Sequence, residues 1–314
     1  MSTALRIQRV VVMLVNLSAI LAFIYASVSI GLTMILAYQP PMPVTQTPSS
    51  LGLTYQSVVF FSRGDHLLLR GWFMPGLLTD GHLTDERNVI LVHGMHANRA
   101  TPLILGLSGA LVHQGIAVFT FDMRGHGESS PAPQGGGYFE QRDVLGAVDF
   151  LRSGPLLYPE LGHPHFIGGW GLSSGGVALL FAAVQEPALK ALIIDSAYAT
   201  LESLIRHDFG YGYLFIPGVR VISQLLYGID YYAVRPVDVV AKVAPRPILF
   251  IHGAADKDVP PSDMTELATA ASAAPHAHVQ TWLVPNARHI EAYFTMNHNY
   301  IERVVAFFTA ELKD

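Results

Sequence analysis

Residues 169–176 read Gly-Trp-Gly-Leu-Ser-Ser-Gly-Gly, two adjacent serines held between glycines within an apolar stretch. The residues before them, Phe166–Gly169, have the composition of a buried strand, and the residues after them, Val177–Gln185, have that of a buried helix. A serine flanked by glycines at a sharp strand-to-helix turn is the G-x-S-x-G pattern of a nucleophile elbow. The stretch therefore predicts a reactive serine at the end of a buried strand.

The spacing of the glycines decides between the two serines. The pattern fits in one register, Gly171-Leu172-Ser173-Ser174-Gly175, because a pattern centred on Ser174 would need glycine at Leu172. We therefore expect Ser173 to be the nucleophile. A serine hydroxyl is weakly nucleophilic at neutral pH, so it needs a base to take its proton and an acid to orient that base.

The chain from residue 55 onward alternates short apolar runs with helical patterns. The first two runs, at 57–62 and 67–75, predict an antiparallel pair joined by the Arg63-Gly64-Asp65 turn. The later runs are continuously apolar and separated by helices, which is typical of a mostly parallel sheet covered on both faces. The predicted strands of this second group lie at 88–94, 117–123, 166–169, 191–196, 247–253 and 278–285. The sequence thus predicts an α/β domain over residues 55–314.

One connection in this domain is longer than a crossover needs. About fifty residues, 197–246, separate two predicted strands, and the segment is rich in aromatic side chains. We expect a small helical insertion here. It either packs extra helices on the core or forms a lid that lines an apolar substrate pocket, and these interpretations are compatible. The aromatic residues are Phe209, Tyr211, Tyr213, Phe215, Tyr227, Tyr231 and Tyr232.

Chain order indicates the partners of Ser173. On sheets with a nucleophile elbow the acid and then the histidine follow the serine, each in a loop after a strand. Among fourteen histidines, His289 lies in the loop between the last predicted strand and the last predicted helix, so we expect it to be the base. The acid is Asp256 or Asp258, because both follow the strand at 247–253.

Acyl transfer also develops a negative oxygen, which backbone N–H groups must stabilise. One N–H is expected from Ser174, the residue after the nucleophile, at a helix N-terminus where the dipole favours negative charge. The other is expected from Met95, in the loop that follows the strand at 88–94. In that loop, His93 and Gly94 would shape the turn.

A second polar stretch, "FDMRGHGESS" at 121–130, contains Asp122, Arg124 and His126. A metal or acid–base site is one interpretation of these residues. We favour a hydrogen-bonded, glycine-rich loop that supports the pocket. Because the sequence has no further His, Asp and Glu cluster with zinc-ligand spacing, we predict neither a metal nor a cofactor.

The N-terminus is the most apolar part of the chain. Residues 10–38 carry no charge and follow Arg6 and Arg9. About 20 apolar residues span a bilayer as a helix, so we predict a transmembrane anchor over 1–38, with a cleaved signal peptide or a buried helix as alternatives. Positive charge on the N-terminal side predicts a cytoplasmic N-terminus and an extracytoplasmic domain. Residues 39–54, rich in Pro, Thr and Ser, predict an extended spacer.

Composition excludes several functions. The net charge of −5 provides no electrostatic footprint for nucleic acid. The chain has no cysteine, which excludes disulfides, thiolate nucleophiles and cysteine-ligated zinc.

Five segments together resemble the α/β-hydrolase superfamily, in its serine-hydrolase branch. They are "HGMHANR" (93–99), "FDMRGHGES" (121–129), "GLSSG" (171–175), "HGAADKDVP" (252–260) and "NARH" (286–289). The resemblance implies an α/β-hydrolase fold over about 55–314. It also implies Asp256 rather than Asp258 as the acid, because the family pattern H-G-x-x-D-x-x-V-P starts at His252. Serine at the elbow separates the chain from relatives with aspartate there, and its oxyanion loop lacks the H-G-G-G form of many lipases.

The apolar N-terminus before such a domain looks like the membrane-anchored acyl-hydrolase members of this superfamily. The resemblance therefore implies a single-pass membrane protein that hydrolyses carboxylic esters or thioesters through an acyl-enzyme, on a small acyl ester and plausibly a lipid. A peptidase of the same fold and a non-catalytic binding protein built on it are the alternatives.

Overall fold

An eight-stranded mixed sheet lies at the centre of the computed structural model, which describes residues 3–155 and 158–313. Its strand order is β1-β2-β6-β5-β7-β8-β9-β10, and the six strands from β6 to β10 are parallel. The sheet strands are β1 (Gln56–Phe61), β2 (Leu68–Met74), β5 (Arg87–Val92), β6 (Ala117–Phe121), β7 (Phe166–Leu172), β8 (Leu189–Asp195), β9 (Ile248–Gly253) and β10 (Val279–Val284). A short hairpin, β3 (Gly76–Leu77) and β4 (Leu83–Thr84), lies outside this sheet.

Helices cover both faces of the sheet. They are α1 (Thr3–Ala37), α2 (Pro102–Val112), α3 (Gln141–Ser153), α4 (Ser174–Gln185), α5 (Leu201–Phe209), α6 (Ile216–Tyr227), α7 (Pro261–Ser272), α8 (Ala292–Met296) and α9 (His298–Glu311). One apolar core joins the sheet to α3, α4 and α7, and a second joins the opposite face to α2 and α9. The central strands are largely apolar because both of their faces are buried. The predicted α/β fold is confirmed, including the antiparallel pairing of β1 with β2.

The insertion at 197–246 leaves the sheet after β8 and returns at β9. It consists of α5, a 3-10 segment at Gly210–Phe215, α6 and three further short 3-10 turns. Tyr231 is buried in it, and its hydroxyl donates to the carbonyl of Gln134. The side chains of residues 208–211, which include two of the aromatic residues named above, lie outside the described part of the chain.

Helix α1 is long and apolar enough to cross a membrane, as an anchor or a signal sequence would be. At 1.5 Å per residue, its 35 residues extend about 52 Å, well beyond the ~30 Å of a bilayer hydrocarbon core. The residues from 10 to 28 are exposed, whereas Ser29, Thr33 and Ala37 are buried against the domain. The helix therefore has two parts, an exposed apolar part and a C-terminal part that packs on the fold.

The segment predicted as a spacer, 39–54, lies along the domain. The side-chain amide of Asn98, in the loop after β5, donates to the carbonyls of Met42 and Pro43 at 2.9 and 3.1 Å. A 3-10 turn follows at Pro48–Leu51. These contacts connect the end of α1 to the loop beside the predicted nucleophile.

Candidate active site

The end of β7 presents Ser173 at the turn into α4. Its backbone has φ 52° and ψ −123°, a strained conformation for a residue with a side chain. The glycines around it allow the elbow to close. A Cβ on Gly171 would lie 2.5 Å from the carbonyl oxygen of Gly175, and a Cβ on Gly175 would lie 2.6 Å from that of Val92. The G-x-S-x-G spacing thus reflects close backbone packing between β5, β7 and α4.

Three loops bring the predicted serine, histidine and aspartate together. His289 Nε2 lies 3.1 Å from Ser173 Oγ, and His289 Nδ1 lies 2.8 Å from Asp256 Oδ2. The three residues come from the carboxyl ends of β7, β10 and β9, which meet at one edge of the sheet. Asp256 is buried, and the His289 side chain is mostly buried. This geometry allows a proton to pass between the serine hydroxyl and the imidazole.

Asp256 is held as an ionised acceptor. Its Oδ1 accepts hydrogen bonds from the backbone N–H groups of Asp258 and Val259, at 3.0 and 2.9 Å. Burial alone would raise the pKa of Asp256, but hydrogen bonds from His252 and His289 lower that pKa below its usual range. Asp258, the other sequence candidate, is exposed, and its backbone rather than its carboxylate takes part in this network.

His252 is a residue whose contribution the sequence did not reveal. It is fully buried in β9, and its Nε2 lies 3.2 Å from Asp256 Oδ2 and 3.0 Å from the carbonyl oxygen of Val259. It therefore contacts the same carboxylate oxygen of Asp256 as His289 does. Its position four residues before Asp256, at the end of a strand, was the sequence feature that could have indicated this contact.

The loop after β5 lies against the serine. A Cβ on Gly94 would be 3.1 Å from the Cβ of Ser173, so only glycine fits there without displacing the nucleophile. His93 shapes the turn from within. Its Nδ1 lies 2.7 Å from the Gly94 carbonyl, and its Nε2 accepts the N–H of Met123 at 3.1 Å. Burial and the neighbouring His126 lower the pKa of His93 to about 3, so the ring is neutral at physiological pH.

Met95 and Ser174, predicted to stabilise the oxyanion, both neighbour Ser173. Within the described residues neither backbone N–H donates to a protein acceptor. Ser174 opens α4, and its side-chain hydroxyl is buried without a hydrogen-bond partner in that same part of the chain. Two free N–H groups beside the serine are suited to an anionic oxygen, and this role remains a prediction.

A cavity of about 440 Å³ opens onto Ser173 and His289. This volume lies within the ~300–1,000 Å³ typical of small-molecule sites. Its other walls are mainly apolar, from Met95, Pro102, Leu103, Ile104, Ile290 and Phe294. The site is therefore shaped for a mostly apolar molecule that presents one reactive group to the serine.

The insertion lines a second cavity, of about 220 Å³. Leu201, Leu204, Ile205 and Tyr231 form one side of it, and Met95 and His96 are lining residues of both cavities. The insertion therefore packs on the core and also lines a pocket, so the contacts of both interpretations are present.

The glycine-rich loop at 121–130 is held by ion pairs. Asp122 accepts the backbone N–H groups of Arg99 and Glu128, each at 2.8 Å, and pairs with the Arg99 guanidinium. Arg124 pairs with Asp143 at 2.7 Å. These contacts fit the supporting loop that we favoured over a metal site.

One group of possible metal ligands is present among the described residues. Oxygen and nitrogen atoms of Asp256, Asp258 and His289 lie within 4.8 Å of one another. Two of these residues already form the hydrogen bond between His289 Nδ1 and Asp256. An ion would compete for the atoms of this hydrogen bond, and the absence of a metal stays a prediction.

Comparison with known proteins assigns the family. The profile of the prolyl oligopeptidase family matches residues 108–314. The uncharacterised protein YfhR of Salmonella typhimurium is 26% identical over 245 residues, which is 75% of each chain. The thiohydrolase aneE of Aspergillus aculeatus is 30% identical over 157 residues, covering 49% of this chain and 45% of that protein.

Solved structures share the fold. The Pyrococcus furiosus esterase Pf2001 superposes with a TM-score of 0.71 at 21% identity, covering 88% of this chain and 99% of the esterase. The expected α/β-hydrolase fold is thereby confirmed.

Proposed function

The chain belongs to the prolyl oligopeptidase family of α/β-hydrolases, and from that premise we propose that it is a membrane-anchored serine hydrolase of carboxylic esters or thioesters. The observation that carries this proposal is the continuous line of hydrogen-bonding distances from Ser173 Oγ through His289 to Asp256. This line provides the nucleophile, the base and the group that orients the base.

In the first half of the reaction His289 Nε2 takes the proton of the Ser173 hydroxyl as Oγ attacks the acyl carbon. A carbon–oxygen bond forms, and the carbonyl electron pair moves onto its oxygen. Collapse of this tetrahedral intermediate expels the alcohol or thiol, which receives the proton from His289. The ionised Asp256 stabilises the positive imidazolium between these two transfers.

In the second half water replaces the leaving group. His289 takes a proton from the water as its oxygen attacks the acyl-enzyme, and then returns a proton to Ser173 Oγ as the carboxylic acid leaves. In both tetrahedral intermediates the anionic oxygen lies on the same side of the acyl carbon. We assign its stabilisation to the backbone N–H groups of Met95 and Ser174, with a contribution from the α4 dipole.

The substrate class is a lipophilic acyl ester. The apolar walls of the 440 Å³ cavity support this assignment, as does the apolar α1 next to the domain. The esterase and thiohydrolase among the similar proteins support oxygen or sulfur esters.

We also propose that α1 stays attached as a single-pass anchor. Small residues at 26–29 would suit cleavage by a signal peptidase. However, cleavage there would remove Tyr25, whose hydroxyl accepts the N–H of Gly218 at 3.1 Å and whose ring stacks on Phe215 at 5.3 Å. With Arg6 and Arg9 on the N-terminal side, the catalytic domain lies on the extracytoplasmic side.

Peptide or amide hydrolysis is the second candidate, and the match to a family of peptidases favours it. The same triad serves both reactions, so the leaving group must decide between them. A butyryl ester, a butyryl thioester and a butyryl anilide, compared with aminoacyl anilides, separate these possibilities. Ester and thioester turnover that exceeds anilide turnover by at least a hundredfold is the expected result.

Labelling with a fluorophosphonate tests the nucleophile itself. The reagent bonds to an activated serine oxygen and loses fluoride. We expect the full-length protein in detergent to be labelled, and Ser173→Ala and His289→Ala to be unlabelled. Ser174→Ala is the matched control, and it keeps its labelling because only its backbone N–H is used. A folded wild type that resists the reagent would instead support a non-catalytic binding protein.

A further inference from the structure

The second cavity receives part of its wall from the N-terminal helix. Ile35 and Leu36 of α1 line it, opposite Leu201, Leu204 and Ile205 of α5. These five side chains are apolar, Gln39 and His96 are the polar residues of the wall, and the cavity is about 220 Å³ in volume. A membrane helix and the insertion thus together enclose a space suited to hydrocarbon.

This cavity adjoins the one that contains the nucleophile. Met95 and His96 line both cavities. The backbone of His96 has a positive φ of 55°. A chain extending from an acyl carbon at Ser173 past Met95 would therefore reach the space beside α1.

Helix α6 packs against α1 at Tyr25 and Ser29. The Gly218 N–H donates to the Tyr25 hydroxyl, and Ser29 packs onto Gly218 so closely that no larger residue fits there unchanged. The contact overlaps the C-terminal end of residues 10–28 of α1, an exposed and mostly apolar stretch about as long as a bilayer core is thick. The contact between the helices therefore lies at the membrane surface.

Helix α6 also carries an apolar face that the described part of the protein leaves uncovered. Val221, Leu225 and Leu226 are exposed, Leu225 to 77%. Because α6 packs along α1 from this contact to the Tyr38–Tyr227 ring pair, this face lies beside the C-terminal part of α1, next to the exposed apolar span. The lipid interface is the occupant that this position favours.

On these grounds, and resting on the proposed hydrolase function, we propose that the substrate is a membrane-resident acyl lipid. Its chain lies between α1 and the insertion, in the 220 Å³ cavity, while its ester carbon meets Ser173. The anchor thus forms part of the substrate site as well as holding the enzyme at the membrane.

Chain-length dependence in the full-length protein, reconstituted in phosphatidylcholine vesicles, tests the cavity. The substrates are p-nitrophenyl butyrate and p-nitrophenyl laurate. We expect Ile35→Trp and Leu204→Trp to lower kcat/KM for laurate at least tenfold and to leave butyrate within twofold of wild type. Ile30→Trp is the matched control on the same helix, because Ile30 is 42% exposed, similar to Ile35 at 57%, and does not line the cavity.

Retained butyrate hydrolysis shows that each variant is folded and that the chemistry is intact. Unchanged laurate hydrolysis in both cavity variants would overturn this inference while leaving the proposed function standing. A wild type that hydrolyses neither ester would overturn the proposed function, and this inference with it.

The membrane contact of α6 has its own test. Because the chain lacks cysteine, Leu225→Cys can be labelled at one position with an NBD fluorophore. We expect its emission to shift to the blue in vesicles and to be quenched by spin-labelled lipid. Leu283→Cys, on the edge strand β10 and 47% exposed, is the control that stays in water. Equal, unquenched emission from both positions would contradict the contact with lipid.

Discussion

Gly218 of α6 lies so close to Ser29 of α1 that a Cβ on the glycine would be 2.7 Å from the serine Cβ. Neither atom can move by side-chain rotation, because each is fixed to its backbone. The pair therefore sets the distance between α1 and α6 of the insertion.

Gly218→Ala is expected to lower the free energy of unfolding by about 1–3 kcal/mol, because the added methyl forces two packed helices apart. Gly31→Ala is the control in α1, where a Cβ meets nothing within 4 Å. Alanine is a better helix former than glycine, so this variant gains up to ~1 kcal/mol. Thermal unfolding of the full chain in detergent shows whether each variant is less or more stable than wild type. Equal shifts of the unfolding temperature in the two variants would contradict the tight contact.

Asp256→Asn is expected to lower kcat by a factor on the order of 10⁴. The amide oxygen would keep the bonds to the Asp258 and Val259 N–H groups, while the NH₂ would face His289 Nδ1 and favour the wrong tautomer. Asp258→Asn is matched in chemistry and position, and it should stay within about threefold of wild type because the Asp258 carboxylate is exposed and His289 Nδ1 bonds to Asp256 instead. Steady-state ester hydrolysis distinguishes the two, and the opposite ranking would identify Asp258 as the acid.

His93 should make the fold sensitive to acid. Burial lowers its pKa to about 3 in the native protein, whereas an unfolded histidine titrates near 6.5. Between these values the unfolded state binds the proton and the native state does not, so stability is present above pH 6.5 and falls as the pH falls. The contribution of one such group is at most about 1.4 kcal/mol per pH unit.

Chemical denaturation between pH 4 and 7.5 measures this slope. We expect His93→Asn to show a shallower loss of unfolding free energy in acid than wild type. His126, whose ring centroid is 4.9 Å away, is present in both proteins, so the difference reports the loss of His93 together with its interaction with His126. His298→Asn, at an exposed position, is the control for the same substitution outside the core. Identical slopes for all three proteins would show that His93 is accessible to protons in the native state.

Local sequence patterns were sufficient for the parts of the site that depend on local geometry. Gly171, Ser173 and Gly175 predicted the elbow because glycine is required wherever backbones approach this closely. The chain order of strand ends indicated His289. The helical pattern was clear only from Val177, whereas α4 begins at Ser174, where the oxyanion argument had placed the helix N-terminus. Its glycines are poor helix formers, and contacts with β5 and β7 outweigh that propensity.

Contacts between residues that are far apart in the sequence could not be predicted from local patterns. Nothing near Gly218 in the sequence indicates that Ser29, almost two hundred residues earlier, will pack against it. The role of His252 likewise depends on Asp256 folding back toward its own strand. The second cavity needs three separate segments, α1, the loop after β5 and the insertion, so no single pattern could predict it.

Tyr300 in α9 is connected to Ser173 through Asp195, and we expect its hydroxyl to contribute to stability rather than to chemistry. It donates to the buried Asp195 Oδ2 at 2.5 Å, and the Asp195 backbone carbonyl accepts the Ser173 N–H at 2.8 Å. Burial raises the pKa of Asp195, and the Tyr300 hydrogen bond opposes that rise. Tyr300→Phe would leave this buried carboxylate with one side-chain donor fewer, at a cost of about 1–3 kcal/mol.

Tyr293→Phe is the matched control, because the Tyr293 hydroxyl makes no hydrogen bond within the described residues, while its ring lies 6.0 Å from that of Tyr300. We expect Tyr300→Phe to unfold at a lower temperature and Tyr293→Phe to unfold as wild type does. Well below the transition, kcat/KM of both should stay within about threefold of wild type, since neither hydroxyl touches the triad. A large loss of kcat/KM in a fully folded Tyr300→Phe would instead show that Asp195 tunes Ser173 directly, through the backbone bond that joins them.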